Sequence, residues 1–179
     1  MKSELLMEKY LFIRIIILFL FIFPTQGWSQ SLNLASGTSN QPIEITAENG
    51  IEWQRSNQLM IASGKAKATR GDTSVEADTL QAYYQKDTTG TSNLSRIKAI
   101  GQVRITSPTQ KLIGEMGVYD LIKGVLIITG KNVSLISGKN TITANQQLEY
   151  YEKKDMAVAR KNARANHDGK RLKADTLVA

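Results

Sequence analysis

The sequence predicts an all-β protein built from repeated pairs of antiparallel strands, and two observations predict it. The first is self-similarity: a unit returns at Gly64, Gly101, Gly130 and Arg160, with spacings of 29 to 37 residues, and the copy at Gly101 is the most divergent. A period near 30 residues is typical of repeat architectures, in which each unit stacks on its neighbour to bury an apolar face. The second is the alternation of apolar and polar residues within each unit, which is the period of a half-buried strand.

The first 29 residues have the composition of a secretory signal peptide. Lys9 and Arg14 form a basic region, an apolar run spans residues 15–23, and Gly27-Trp28-Ser29 places small residues before a cleavage site. We therefore predict cleavage before Gln30 and export to the periplasm. The alternative is an uncleaved anchor, but the apolar segment is shorter than the roughly 20 residues that a spanning helix needs.

The mature chain is predicted to consist of a flexible leader and one domain. Residues 30–41 are polar and rich in Ser, Asn, Gly and Thr, and residues 42–179 carry the strand pattern. The chain has no cysteine, which excludes a disulfide, a thiolate metal site and a cysteine nucleophile. The net charge of +7 is compatible with anionic lipids or glycans as partners but does not select one. The export signal disfavours nucleic acid as a partner.

Each unit is predicted to fold as strand, turn, strand. In the first copy the arms are residues 58–70 and 73–85, joined by Gly71-Asp72. The glycine that opens a unit is predicted to allow a bulge, so that every strand pair bends at the same place. An earlier strand is expected over residues 43–48. The turns of the later copies are expected at residues 107–109, 137–140 and 166–169.

One face of these strands is predicted to be an apolar interior. Alternation alone does not distinguish a ligand site there from an ordinary sandwich core. The many alanines, such as Ala62, Ala66 and Ala77, favour a ligand site because small side chains leave room between two apolar walls. The candidate lining residues are Ile61, Val75, Val103, Ile105, Val118, Ile127, Val133, Leu135, Ile142 and Leu148.

Three stretches resemble the LptA family of periplasmic lipopolysaccharide-transport proteins, whose shared unit is the OstA-like domain. They are PIEITAENGIEW from residue 42, GKAKATRGDTSVEADTLQAYY from residue 64, and YDLIKGVLIITGKNVSLISGKNTITANQQLEY from residue 119. The resemblance implies a twisted, open β-jelly roll over residues 42–179. It also implies that the apolar interior groove holds the acyl chains of lipid A, which would make the ten residues above lipid-binding residues.

The same resemblance implies partners. Domains of this family stack edge to edge into a bridge across the periplasm. The expected partners are therefore lipopolysaccharide, the OstA domains of an inner-membrane LptC-like and an outer-membrane LptD-like protein, and further copies of the chain placed head to tail.

No catalytic or metal-binding constellation is recognisable in the sequence, so no enzyme activity and no cofactor are predicted. His167 is the single histidine and falls in a predicted turn, where an exposed role is expected. Asp78 and Asp175 recur after alanine at equivalent positions, with Asn145 in the third copy, and are expected to face water or to cap a bend.

A basic cluster near the C-terminus has two possible roles, which are contact with lipid phosphates and protection of a solvated strand edge. Its members are Arg160, Lys161, Arg164, Lys170, Arg171 and Lys173.

The sequence thus predicts a periplasmic carrier that moves lipopolysaccharide from the inner to the outer membrane. Three alternatives remain at this point. A membrane-anchored LptC-like subunit would share the domain, a structural β-repeat scaffold would have no ligand, and a glycan-processing enzyme would require an acid pair that is not identifiable here.

Overall fold

The computed structural model describes residues 42–154 and 156–178. The predicted signal peptide and leader lie outside the described residues. Within the described part the chain forms twelve strands and two short 3₁₀ turns. The strands are β1 (Glu44–Thr46), β2 (Ile51–Gln54), β3 (Leu59–Arg70), β4 (Thr73–Lys86), β5 (Ser92–Thr106), β6 (Gln110–Asp120), β7 (Val125–Thr129), β8 (Val133–Ser137), β9 (Asn140–Ala144), β10 (Gln147–Tyr151), β11 (Met156–His167) and β12 (Lys170–Val178).

The strands form one antiparallel sheet. In three places two short strands lie end to end along one long strand. β1 and β2 both pair with β3, β7 and β8 both pair with β6, and β9 and β10 both pair with β11. The twelve strands therefore make nine long runs, with β1–β2 at one edge and β12 at the other. Because nine is odd and each run is antiparallel to the next, the two edge runs point in the same direction.

Bulges at matching places bend the long strands, as the repeated glycine predicts. Gly64 and Gly101 sit in two of them with φ of +82° and +77°, a region that favours glycine. In the fourth copy Lys161 and Asn162 adopt φ of +69° and +50° instead. The structural equivalent of Gly64 is therefore Lys161, and the assignment of Arg160 to this position is wrong by one residue. The register shifts at the bends lie at Ser63/Ala66, Glu76/Thr79, Ile100/Val103 and Arg160/Ala163, and a further shift lies at Tyr83/Tyr84.

The bends divide the sheet into two halves whose apolar faces meet. Half A contains β2, β7 and β10 with residues 59–63, 79–86, 92–100, 116–120, 156–160 and 176–178. Half B contains β1, β8 and β9 with residues 66–70, 73–77, 103–106, 110–114, 163–167 and 170–174. Buried side chains from both halves form one continuous core, which includes Val75, Leu80, Val103, Leu112, Ile128, Val133 and Leu148. Burial of this apolar surface is the main force that holds the halves together.

The predicted all-β, jelly-roll-like architecture is confirmed. The predicted arms of the first copy correspond to β3 and β4 within one residue, and Gly71-Asp72 forms the turn between them. The expected turn at residues 107–109 separates β5 from β6. Among the described residues no helix is long and apolar enough to cross a membrane.

Candidate functional site

The interior opens into a cavity near the β1–β2 edge, which we call the N-terminal chamber. Its volume is about 170 Å³, and side chains of both sheet halves line it. All but one of the lining residues carry apolar or aromatic side chains. The lining consists of Ile43, Ile45, Met60, Ala62, Ala68, Leu80, Gln81, Ala82, Tyr84, Leu94 and Ile97.

Exposed apolar side chains surround the entrance of the chamber. Trp53 of β2 packs edge-on against Tyr84 of β4, with ring centroids 5.1 Å apart. Trp53 is 44% exposed, and Ile43 and Ile51 are 43% and 50% exposed. Exposed apolar groups that adjoin an apolar cavity are typical of a binding site. The N-terminal edge therefore combines an entrance, a chamber and an aromatic rim.

The apolar interior between the two halves continues from the chamber toward β12, and we call it the trough. Beyond the chamber the two halves come into close contact. The next cavity has a volume of only about 20 Å³ and lies between Val75 and Ile105 of half B and Ile97, Ala99 and Tyr119 of half A. That volume corresponds to about one small probe sphere, so it does not hold an acyl chain. The trough is thus open at its N-terminal end and closed beyond it.

Seven of the ten predicted lining residues do face the interior. Six are buried and Ile142 is partly buried against the core. Two of the seven, Val75 and Ile105, line the small deep cavity, and none of the seven lines the N-terminal chamber. Whether they contact lipid stays a prediction. The seven are Val75, Val103, Ile105, Val133, Leu135, Ile142 and Leu148.

The other three predicted lining residues, Ile61, Val118 and Ile127, are wrongly assigned to this face. Each lies between two inward-facing neighbours, as Ile127 does between the buried residues Leu126 and Ile128. For Val118 and Ile127 the cause is the bend, because the inward-facing positions change parity across it. Leu112 and Gly114 are buried on one side and Gly117 and Tyr119 on the other, and Val133 and Leu135 differ in the same way from Leu126 and Ile128. Ile61 has no such cause, since Ala62 and Ala66 face the interior at one alternation through the bulge.

Sequence reasoning missed most of the chamber lining and the residues that close the trough. Their signal is present in the chain, since alternation on the half A side of the bends selects all of them except Gly114, which lies on half B. The missed residues include Met60, Leu80, Ile97, Gly114, Gly117, Tyr119, Leu126 and Ile128.

Polar side chains from neighbouring strands cap the bends on the outside of the sheet. A Cβ on Gly101 would lie 2.0 Å from Oδ2 of Asp78, and Gln102 Nε2 donates to Asp78 Oδ1 at 3.4 Å. At the break between β7 and β8 the backbone N–H of Lys131 donates to Glu115 Oε1 at 3.3 Å. The expected bend-capping role is therefore confirmed for Asp78.

A buried carboxylate joins β10 to β11 on the outer face of half A. Glu149 accepts hydrogen bonds from Arg160 Nε at 2.5 Å, Tyr151 Oη at 2.5 Å and Gln147 Nε2 at 2.9 Å. These donors, Arg160 foremost, hold the pKa of Glu149 below its usual value despite the opposing effect of burial. The three hydrogen bonds compensate the buried charge of Glu149, so the arrangement has a structural role between β10 and β11.

The single histidine of the chain lies near a turn of half B. His167 is exposed at the turn before β12, as expected, and its Nδ1 contacts Oδ1 of Asn140. In residues 42–154 and 156–178, no three side chains of the His, Cys, Asp and Glu type are grouped to hold a metal ion.

Four members of the basic cluster, Arg164, Lys170, Arg171 and Lys173, lie on the C-terminal part of half B, whereas Arg160 lies on half A and Lys161 lies in the bend between the halves. A concavity of about 470 Å³ on β9, β11 and β12 is lined by Arg164, Arg171 and Lys173 together with Thr141, Thr143 and Asn166, without a carboxylate. The corresponding concavity of the first copy differs, because Glu76 and Asp78 line it with Lys65, Lys67 and Arg104. The basic surface is thus specific to the C-terminal edge.

Comparisons with known proteins agree with this architecture. An uncharacterised protein of Rhizobium meliloti (strain 1021) is 28% identical over 126 residues, which cover 68% of this chain and 66% of that relative's length. In fold, the chain is similar to the crystal structure of LptH, the LptA-homologous periplasmic component of the lipopolysaccharide transport device of Pseudomonas aeruginosa. The TM-score is 0.58 and the identity 16%, with 68% of this chain and 84% of LptH covered.

The family assignment rests on the length of the family-model match. Residues 44–156, which run from the first residue of β1 to the first residue of β11, match the model described as LptA/(LptD N-terminal domain) LPS transport protein. The chain therefore belongs to the LptA/LptD N-terminal domain family of lipopolysaccharide-transport proteins.

Proposed function

We propose that the protein is a periplasmic carrier that binds acyl chains of lipopolysaccharide in the trough and forms part of a bridge from the inner to the outer membrane. The N-terminal chamber is the observation that carries the proposal. It is apolar, opens at a sheet edge, and has exposed apolar side chains at its entrance. Such a site suits a hydrocarbon chain whose polar headgroup stays in water.

The size of the chamber limits what it holds. Its volume of about 170 Å³ is below the ~300–1,000 Å³ of pockets that enclose a drug-sized ligand. The chamber therefore takes the end of one acyl chain, and the remainder of the lipid lies at the entrance or requires the halves to separate.

The two sheet edges support the bridge part of the proposal. Within the described residues β1 and β2 pair only with β3, and β12 pairs only with β11, so each edge offers backbone groups for another strand. The edges also differ in charge. Glu44, Glu48 and Glu52 lie along the N-terminal edge, whereas Lys170, Arg171 and Lys173 lie on β12.

These differences favour head-to-tail docking. An acidic edge attracts a basic edge of the next domain, which steers association. Contacts between two different edges need not close on themselves, so they generate open chains. The partner is a second copy of this chain or an OstA-like domain anchored in the inner or the outer membrane. The predicted cleavage before Gln30 would release the domain into the periplasm.

A ligand-free structural scaffold is the second candidate, because the close contact of the halves beyond the chamber favours it. The two candidates differ in what happens at the entrance of the chamber. Trp53 is the single tryptophan that remains after the predicted cleavage, and it lies against Tyr84 of the chamber wall. It is therefore an intrinsic probe of the entrance.

The test is a titration of the mature protein with purified lipopolysaccharide, followed by Trp53 fluorescence. The carrier predicts a saturable blue shift of the emission, because the indole leaves water when an acyl chain enters. Replacing Ala82 by Phe fills the chamber and should abolish the shift, while Gln85→Phe at the exposed end of the same strand should preserve it. An unchanged emission in the wild-type protein would favour the scaffold.

A further inference from the structure

Ile128 is one of the side chains that close the trough beyond the N-terminal chamber. Ile128 of β7 is 1% exposed and points into the interior between the two halves. A Cβ on Gly114 would lie 2.3 Å from Ile128 Cγ2, and a Cβ on Gly117 would lie 2.9 Å from Ile128 Cδ1. No side chain larger than hydrogen fits at either glycine while Ile128 keeps this position.

These two glycines are not required by the backbone. Unlike Gly64 and Gly101, neither Gly114 nor Gly117 has a φ in the left-handed region. Their missing side chains serve close approach instead, which is the other physical reason for glycine within a strand. The sequence of β6 therefore makes a space that Ile128 fills.

Ile128 reaches across the trough from half A to half B. Gly117 lies beside it in half A, whereas Gly114 and Val133 belong to half B. On the N-terminal side of this contact the cavities are about 20 Å³ and then about 170 Å³ in volume. On the C-terminal side the inward-facing residues Val133, Ala144, Leu148, Ala159 and Ala163 are all at most 2% exposed.

We infer that Ile128, seated against Gly114 and Gly117, is a barrier that confines an acyl chain to the N-terminal chamber. A chain that passes toward β12 must displace the Ile128 side chain or separate the two sheet halves. The residue thus determines how far, and how readily, a hydrocarbon moves along the trough. This inference rests on the proposed function, since it describes how the same interior treats its ligand.

The experiment maps where an acyl chain reaches. The probe is a lipid A analogue with a diazirine near the end of one acyl chain, which is photolysed with the mature protein and located by peptide mass spectrometry. In the wild-type protein we expect label on peptides that contain Met60, Leu80 or Ile97, which line the chamber. Little label is expected on β10 and β11.

The decisive variant is Ile128→Ala, which removes the side chain that is seated against Gly114 and Gly117. Occupancy of β10 and β11 should rise about tenfold, the factor that a free energy lower by about 1.4 kcal/mol produces. Ile127→Ala is the matched control, because it makes the same change one residue away on the outer face and should leave the label confined. Ile128→Val, which removes only the methyl group nearest Gly117, should give a smaller rise and keeps the test valid if the alanine variant does not fold.

The outcomes separate this inference from the proposed function. Equal labelling of the chamber and of β10–β11 in the wild-type protein would overturn the barrier while supporting lipid binding. Chamber-only labelling in a folded Ile128 variant would also overturn it. A wild-type protein that takes no label at all would overturn the proposed function, and the barrier inference with it.

Discussion

Arg164 of β11 and Lys173 of β12 face each other in register although both carry a positive charge. The equivalent residues of the first copy, Lys67 and Glu76, form an ion pair of 3.2 Å. Like charges directly opposite each other on adjacent strands are destabilising. The protein thus retains an unfavourable pair at the edge that we propose for docking, where an acidic partner would neutralise it.

Replacing Lys173 by Glu should therefore stabilise the isolated domain. The variant restores the charge pattern of the first copy, and the gain should be at most about 1 kcal/mol because the pair is exposed. Urea denaturation measures it, with Lys98→Glu on the middle of half A as a control for the change in net charge. A lower stability of Lys173→Glu would contradict the assignment of this pair as unfavourable.

The same edge should lose its affinity for a partner when its charge is reversed. Arg171→Glu should weaken concentration-dependent association of the mature protein, because the acidic residues Glu44 and Glu48 of the opposite edge would then face a like charge. Sedimentation at low and at high salt measures the effect, and added salt should weaken the wild-type association in the same direction. A wild-type protein that remains monomeric at high concentration and captures no OstA-like domain would contradict head-to-tail docking.

Glu149 should make stability depend on pH. Its pKa is lowered in the folded protein, mainly by the hydrogen bond from Arg160. The network therefore contributes stability above the unfolded pKa of Glu149, and this contribution is lost as the pH falls through the folded pKa. Glu149→Gln should be less stable than the wild-type protein near pH 7, and the difference should narrow toward about pH 3. An equal difference at both pH values, measured by urea denaturation, would exclude this role.

The bend at Gly101 should not tolerate a side chain. Alanine there would place a Cβ 2.0 Å from Asp78 Oδ2 and 2.9 Å from Asp78 Cβ, so rotation of Asp78 relieves only part of the clash. Gly90 is the control, because its φ of +85° is similar but nothing lies within 4 Å. Gly90→Ala should cost about 1 kcal/mol of backbone strain, and Gly101→Ala more than about 2 kcal/mol. If thermal unfolding shows the same loss of stability for both variants, the clash with Asp78 does not contribute.

The strand pattern and the bends could be predicted from the sequence because both are local. Alternation sets the arms of β3 and β4, and a glycine at the same place in the first three units marks the bend. The residues that face the interior could be predicted only in part. Ile127 and Ile128 differ by one position, and which of them faces the interior depends on how the break between β7 and β8 changes the alternation that Val133 and Leu135 set.

The closed part of the trough is a product of tertiary packing. The alanines predict an open groove, because small side chains leave room. In β6, however, the room left by Gly114 and Gly117 is filled by Ile128 from the adjacent strand. Small residues make a cavity or a close contact depending on which side chain lies next to them. Here that side chain is Ile128, which the pairing of β6 with β7 brings beside the two glycines.

The central claim is that the chamber holds an acyl chain of lipopolysaccharide, and a pair of adjacent residues tests it most directly. Ile97 lines the chamber, whereas Lys98 on the same strand points to the outer face. A photo-crosslinking amino acid at position 97 should capture lipopolysaccharide in cells, and the same group at position 98 should capture little. Equal capture at both positions, or no capture at position 97 in a folded protein, would contradict the account.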